Sequence, residues 1–265
     1  MTILQTPPRQ TLPPITWQKL PADYPLPDDP VDNLLQPLLA AALRESLELA
    51  GLILDSMIIA TDFGICATVS NKNVVKAPDW VYVPSANPVP PGTNRRSYTP
   101  HAEGGLPTVV MEFISATEGG EYSINPHYPY GKWYFYEQIL KVPVYVIFHP
   151  ESGALEVYDL TEGQYKQQSP DENGRFWLDA LNLFLGVWQG KKAEVEDRWL
   201  RFWDQSGQLL LWGTERLQQE QQKTDQERQR ADQERQRADQ ERQRADQLAA
   251  QLKALGVEIN SAENA

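Results

Sequence analysis

An α/β layered domain followed by one long charged helix is the architecture this sequence predicts, on three observations. All 8 Trp, 11 Tyr and 7 Phe, and every proline, precede Gly213, so the residues that build a packed core stop there. Helix-like and strand-like segments are interleaved in that body, in the order helix, several strands, helix, more strands, which suits layers better than a pure sandwich. Beyond it a seven-residue unit, Ala-Asp-Gln-Glu-Arg-Gln-Arg, recurs at 231–237, 238–244 and most of 245–251, with a near copy from Thr224.

Along the chain, residues 1–30 hold eight prolines and read as an extended lead. From Val31 to Ala50, leucines and alanines recur at three-to-four spacing and predict an amphipathic helix, with Asp32 or Asn33 as cap. LILDSMIIATDF and GICATVS read as a hairpin, VVKAPDWVYV as the next strand, and TVVMEFIS as a strongly apolar strand after a long loop. GKWYFYEQIL reads as a short helix, although its aromatics would also suit a strand. VPVYVIFHP and ALEVYDL read as strands joined by a turn at Glu151-Ser152-Gly153. A hairpin-like region to Trp188 and LRFWDQSGQLLLW close the body. The expected division is a lead at 1–30, a body at 31–213, a helical tail at 214–256 and a disordered end at 257–265.

Composition excludes several classes. Cys66 is the only cysteine, which rules out an internal disulfide and a cysteine-based zinc cluster, and a reducing, cytoplasmic setting is expected. Nothing in the sequence reads as a membrane span or a secretory signal. The net charge of −12 is a poor start for nonspecific nucleic-acid binding, which depends on neutralising phosphates. His101, His127 and His149 show no metal-ligand spacing and read as structural or surface residues.

Three residues of the body carry chemical promise. Asp79 follows Pro78 inside a strand-like run, Glu112 stands within Val109, Val110, Met111, Phe113 and Ile114, and Lys132 opens a helix. A carboxylate in a buried strand is costly unless paired or bound to a cation. Two such acids on neighbouring strands offer hard oxygen ligands to Mg²⁺, which activates water and stabilises charge on a phosphate, and a nearby lysine adds a proton donor or positive charge.

This order, PD on one strand, VVMEFIS after a long loop and a lysine on the next helix, resembles the PD-(D/E)XK nuclease superfamily. The strings APDWVYVP, RRSY, VVMEFIS, GKWYFYEQ, LGVWQG, WLRFWDQSGQLLLWG and the terminal LAAQLKALGVEIN are similar to the bacterial Uma-two-like family of restriction endonucleases, from about Val31 to Asn260. The resemblance implies a restriction-endonuclease-like mixed β-sheet core flanked by helices, a DNA substrate and Mg²⁺ or Mn²⁺. It implies Asp79 and Glu112 as metal ligands and catalytic acids, the Phe113 carbonyl as a further ligand, and Glu45 or Glu48 as a helix-borne acid. The superfamily lysine normally stands two residues after the glutamate, where this chain has Ile114, so Lys132 takes the role by migration. A second departure is His149-Pro150, where the family often has Asp-Pro.

Arg95 and Arg96 are candidates for phosphate contact, with a bridge to local acids as the other reading. The Trp133–Tyr136 cluster could stack bases but is expected to pack in the core, as are the tryptophans near 199–212. In the tail, Leu217, Thr224, Ala231, Ala238, Ala245 and Leu252 form one track, against Glu227, Glu234, Glu241 and Leu248. A strong coiled-coil seam needs large apolar residues on both. Two readings stay open: a solvated single helix, or weak self-association or partner binding held mainly by Leu248, Leu252 and Leu255. Two functions stay open with them: a metal-dependent DNA endonuclease, and a catalytically silent nuclease-fold protein that acts through its tail.

Overall fold

The computed structural model describes residues 14–19, 34–114 and 120–254. Contacts divide the chain into Met1–Trp212 and Gly213–Ala265. Strand β1 (Ile15–Thr16) is followed by helix α1 (Leu35–Leu49), then β2 (Ile58–Ala60), β3 (Gly64–Val69), β4 (Lys72–Lys76), β5 (Trp80–Val83), β6 (Ser97–Tyr98) and β7 (Val109–Phe113). A single helical turn, α2 (Lys132–Tyr134), runs into a π-helical segment at Phe135–Leu140. Then come β8 (Val144–His149), β9 (Ala154–Thr161), β10 (Gln164–Gln167), β11 (Phe176–Leu178), β12 (Leu183–Lys192), β13 (Val195–Trp203) and helix α3 (Gly213–Ala254).

Among the described residues the central sheet is six-stranded and mixed, in the order β10-β9-β8-β7-β5-β2. Only β7 and β8 run parallel in it, so residues 114–143 must cross over between them. One face is covered by α1 and the β11-β12-β13 sheet, around Leu39, Leu43, Trp80, Met111, Phe148 and Trp199. The other is covered by the sheet of β1, β3, β4 and β6 and by the π-helical segment, around Val81, Val110, Tyr136 and Ile147. A sheet covered on both faces explains why β7 and β8 read as continuous apolar runs.

Two sequence expectations fail here. β2 and β3 do not form a hairpin: β2 pairs with β5 in the central sheet, and β3 pairs with β1, β4 and β6. VVKAPDWVYV is not one strand either. It breaks between β4 and β5 at Ala77-Pro78-Asp79, because Pro78 has no N–H for a ladder and the chain changes sheets there. The expected cap residues Asp32 and Asn33 and the final leucine of the tail, Leu255, lie outside the described residues.

Trp199 and Trp212 are core residues as expected. The Trp212 indole donates to the Ala42 carbonyl at 3.1 Å, tying the end of the body to α1. Arg201 is buried with its guanidinium 3.3 Å from the Trp212 ring centroid and donates to the Leu210 carbonyl at 2.9 Å. Helix α3 has no buried residue along its 42 residues. Glu215 in its first turn and Lys253 in its last complement the helix dipole. Among the described residues, no helix is long and apolar enough to cross a membrane.

Candidate active site

Strand register brings the two sequence-predicted acids together. Trp80 pairs with Met111 across β5 and β7, so one further step places Asp79 opposite Glu112. Side chains alternate along strands, so Glu112 shares the face of Val110, beneath the π-helical segment, while Met111 and Phe113 face α1. The break at Pro78 leaves Asp79 half-buried at the mouth of β5, and Asp79 Oδ2 accepts a hydrogen bond from the Phe113 N–H.

Lys132 reaches the same point from the crossover. Its Nζ lies 3.2 Å from Glu112 Oε2 and 3.4 Å from Glu121 Oε1. Four residues along, Tyr136 donates its hydroxyl proton to Glu112 Oε1 at 2.9 Å, so both oxygens of this 1 % exposed glutamate are engaged. Gly131 is what lets the crossover fold this tightly. A Cβ there would stand 2.0 Å from the Ser123 carbonyl oxygen, so any larger residue would force the loop at Ser123 aside. The Tyr145 hydroxyl, from β8, fixes the Glu121 carbonyl at 3.0 Å.

The electrostatics follow from this crowding. Burial pushes the Glu112 carboxyl up to about 7 against the pull of Lys132. Burial, and then the charge on Glu112, push Asp79 up to about 9, although the Phe113 N–H and Lys132 oppose this. The two acids titrate as a pair: Glu112 ionises first beside Lys132, and its charge then retains the proton on Asp79. For Lys132, burial favours the neutral amine, but Glu112, Glu121 and Asp79 together hold its pKa above the ordinary range, so it is an ammonium at neutral pH. Glu121 Oε2 is buried and has no hydrogen-bond partner among the described residues.

These acids bind protons more tightly folded than unfolded, so their contribution to stability is complete below about pH 4 and is lost as pH rises through about 7 and about 9. In EDTA, thermal unfolding of the wild type should therefore shift to lower temperature between pH 6 and 9. Asp79→Asn should make that decline shallower. Parallel pH profiles for the two proteins would remove Asp79 from this account.

The other sequence candidates are placed elsewhere. Glu45 pairs with Lys192 of β12, and Glu48 is exposed in the last turn of α1. The α1 side chain that reaches the site is Gln36, whose amide donates to the Phe113 carbonyl at 2.5 Å. That carbonyl is thus already engaged, and the helix-borne acid expected at Glu45 or Glu48 is replaced by an amide. Among the described residues, no group of three or more His, Cys, Asp or Glu side chains is arranged to hold a metal ion. Arg95 is not brought to the site: it pairs with Glu103 at 2.9 Å and donates to the Asn87 carbonyl, and Arg96 is exposed. Phe135 and Tyr136 are buried, while Trp133 and Tyr134 are half-buried.

Four participants escaped sequence reasoning: Gln36, Glu121, Tyr136 and Tyr145. Gln36 had a signal, because it continues the buried stripe of Ala40, Leu43 and Leu47 at helical spacing. Tyr136 had one in its position four residues after Lys132. Glu121 had none: it lies in a Gly-rich loop and meets Lys132 only through the crossover.

A search of curated proteins finds no match to this chain. A family model, Uma2, described as "Putative restriction endonuclease", matches residues 25–189. That match covers more than half of the chain, including Asp79, Glu112 and Lys132, and the chain belongs to this restriction endonuclease family.

Proposed function

We propose that the chain is a metal-dependent nuclease that hydrolyses DNA phosphodiester bonds at Asp79, Glu112 and Lys132. The observation that carries this reading is the Lys132 ammonium held between Glu112 and Glu121 beside the half-buried acid Asp79. The lysine stands on the crossover helix rather than two residues after the glutamate, yet its ammonium still meets the strand acid.

The donor set fits a hard divalent ion. Asp79 and Glu112 present oxygen ligands whose mutual repulsion a cation would relieve. Two protein carboxylates suit Mg²⁺, which keeps several waters and substrate oxygens in its shell. Bound there, Mg²⁺ or Mn²⁺ would supply an activated water and charge stabilisation on the phosphate. The protein's own groups do the positioning. The Phe113 N–H orients Asp79, and the Tyr136 hydroxyl orients Glu112. Lys132, held protonated, would offer its charge and hydrogen bonds to the phosphate oxygens rather than act as a base.

Purified protein should nick plasmid or cleave single-stranded DNA with Mg²⁺ or Mn²⁺ and stop when EDTA is added. The second reading, a silent nuclease-fold protein working through its tail, draws on the 42 residues of α3 with no buried side chain and on the net charge of −12. It requires no cleavage with any metal tried. In either case residues from 214 onward are assigned to a tail that carries no chemistry and is available to a second copy or another protein.

A further inference from the structure

We propose that Tyr122 is a stacking platform for an unpaired DNA base next to the bond cleaved at Glu112 and Lys132, which makes single strands the preferred substrate. This rests on the nuclease reading for the identity of the neighbouring group as a phosphodiester.

The placement comes from two short segments that meet in step. Glu121 meets Lys132 at 3.4 Å, and the next residues, Tyr122 and Trp133, stack with ring centroids 6.3 Å apart and planes 26° apart. An aromatic face therefore begins one residue from the reactive cluster on both segments. The His149 ring lies nearly parallel to Tyr122 as well, at 6.3 Å and 22°.

Tyr122 is also immobilised in a way that a surface tyrosine does not need. Its hydroxyl donates to Glu156 Oε1 at 2.9 Å and, having one proton, accepts from His149 Nε2 at 2.9 Å. Tyr158 donates to the other Glu156 oxygen and fixes that carboxylate in turn. The residue is nevertheless 38 % exposed, with Ile124 and Tyr128 exposed on the same loop. Asn125 holds that loop by donating to the His127 and Pro129 carbonyls at 3.0 and 2.8 Å. A rigid, exposed, apolar face beside a hydrolytic site is what a nucleobase stacks on, and it loses little entropy in doing so.

Base access selects the strand state. A net charge of −12 disfavours phosphate contact with either form, so base stacking is the contribution that tells them apart. Bases in a duplex already stack on each other, so only an unpaired base can use Tyr122.

The test uses the full chain and a fluorescent oligodeoxynucleotide, alone or as a duplex, with binding read by anisotropy in Ca²⁺ and cleavage read separately in Mg²⁺. The single strand should bind more tightly than the duplex. Tyr122→Ala should weaken single-strand binding on the order of 10-fold, and Tyr122→Phe, which keeps the ring, should retain most of it. An oligomer of abasic residues should bind wild type as weakly as the normal strand binds Tyr122→Ala, and this arm needs no folded variant. Equal binding of normal and abasic strands by wild type, or preference for the duplex, would overturn the platform while leaving cleavage intact. Loss of the nuclease reading looks different: no cleavage, with base-dependent binding at Tyr122 preserved.

Discussion

Glu112→Gln and Asp79→Asn are each expected to reduce Mg²⁺-supported cleavage by roughly 10³-fold or more, since removing one charged ligand forfeits several kcal/mol of transition-state stabilisation. Both substitutions keep the shape of the side chain, and Tyr136 still finds an oxygen at position 112. The fold should survive, because Lys132 keeps Glu121 at 3.4 Å. Asp79 still holds its proton near pH 8, so Asp79→Asn is expected to lose activity with little change in thermal stability. Glu112→Gln instead turns an amide donor toward the Lys132 ammonium and is expected to lose a little stability as well. Initial rates in Mg²⁺ and thermal unfolding of the same preparations read both. Cleavage that persists unchanged in both variants would identify a contaminating nuclease and remove these acids from the mechanism.

Lys132→Met should lose much more stability together with its activity. Without the ammonium, Glu112 and Glu121 are buried beside each other with no cation. Removing one partner of a buried ion pair costs roughly 3–5 kcal/mol, and the 19 % exposure of Lys132 puts this site toward the lower end. Protonation of Glu112 softens the loss, so the stability deficit should be larger at pH 8 than at pH 5.5. Cleavage should fall on the order of 10²–10³-fold, the usual cost of losing one charge-stabilising donor. Lys132→Arg separates the roles: it restores much of the stability because the charge returns, but not the rate, because the larger planar guanidinium does not put its charge where the compact ammonium sits. A Lys132→Met protein as stable as wild type at pH 8 would contradict the buried-pair geometry.

The parts of the site that could be read from sequence are those borne on regular elements. Glu112 was legible because five apolar neighbours define a buried strand, and an acid there needs a reason. Lys132 was legible because its helix follows the next loop. The tryptophans near the end of the body read correctly as core. What could not be read depended on pairing between distant segments. The proposed β2–β3 hairpin failed because apolar strands of similar length do not name their partners, and Pro78 diverted the chain between sheets. Assigning a helix acid at Glu45 or Glu48 failed because the inward stripe of α1 passes through Gln36 near the site and leaves Glu45 facing Lys192. Glu121 and Tyr122 lie in an irregular loop, where no period marks which residues turn inward.

One consequence belongs to how such proteins diversify. Glu121, Tyr122, Lys132, Trp133 and Tyr136 all lie on the crossover between β7 and β8, while Asp79, Glu112, the Phe113 N–H and Tyr145 belong to the central sheet and its margin. Exchange of that one segment by recombination would replace the amine, its tethering acid and the aromatic face as a unit. The two scaffold acids would pass unchanged through the exchange. On the proposed function, substrate choice would then be a heritable cassette, free to vary while the frame that houses it is kept.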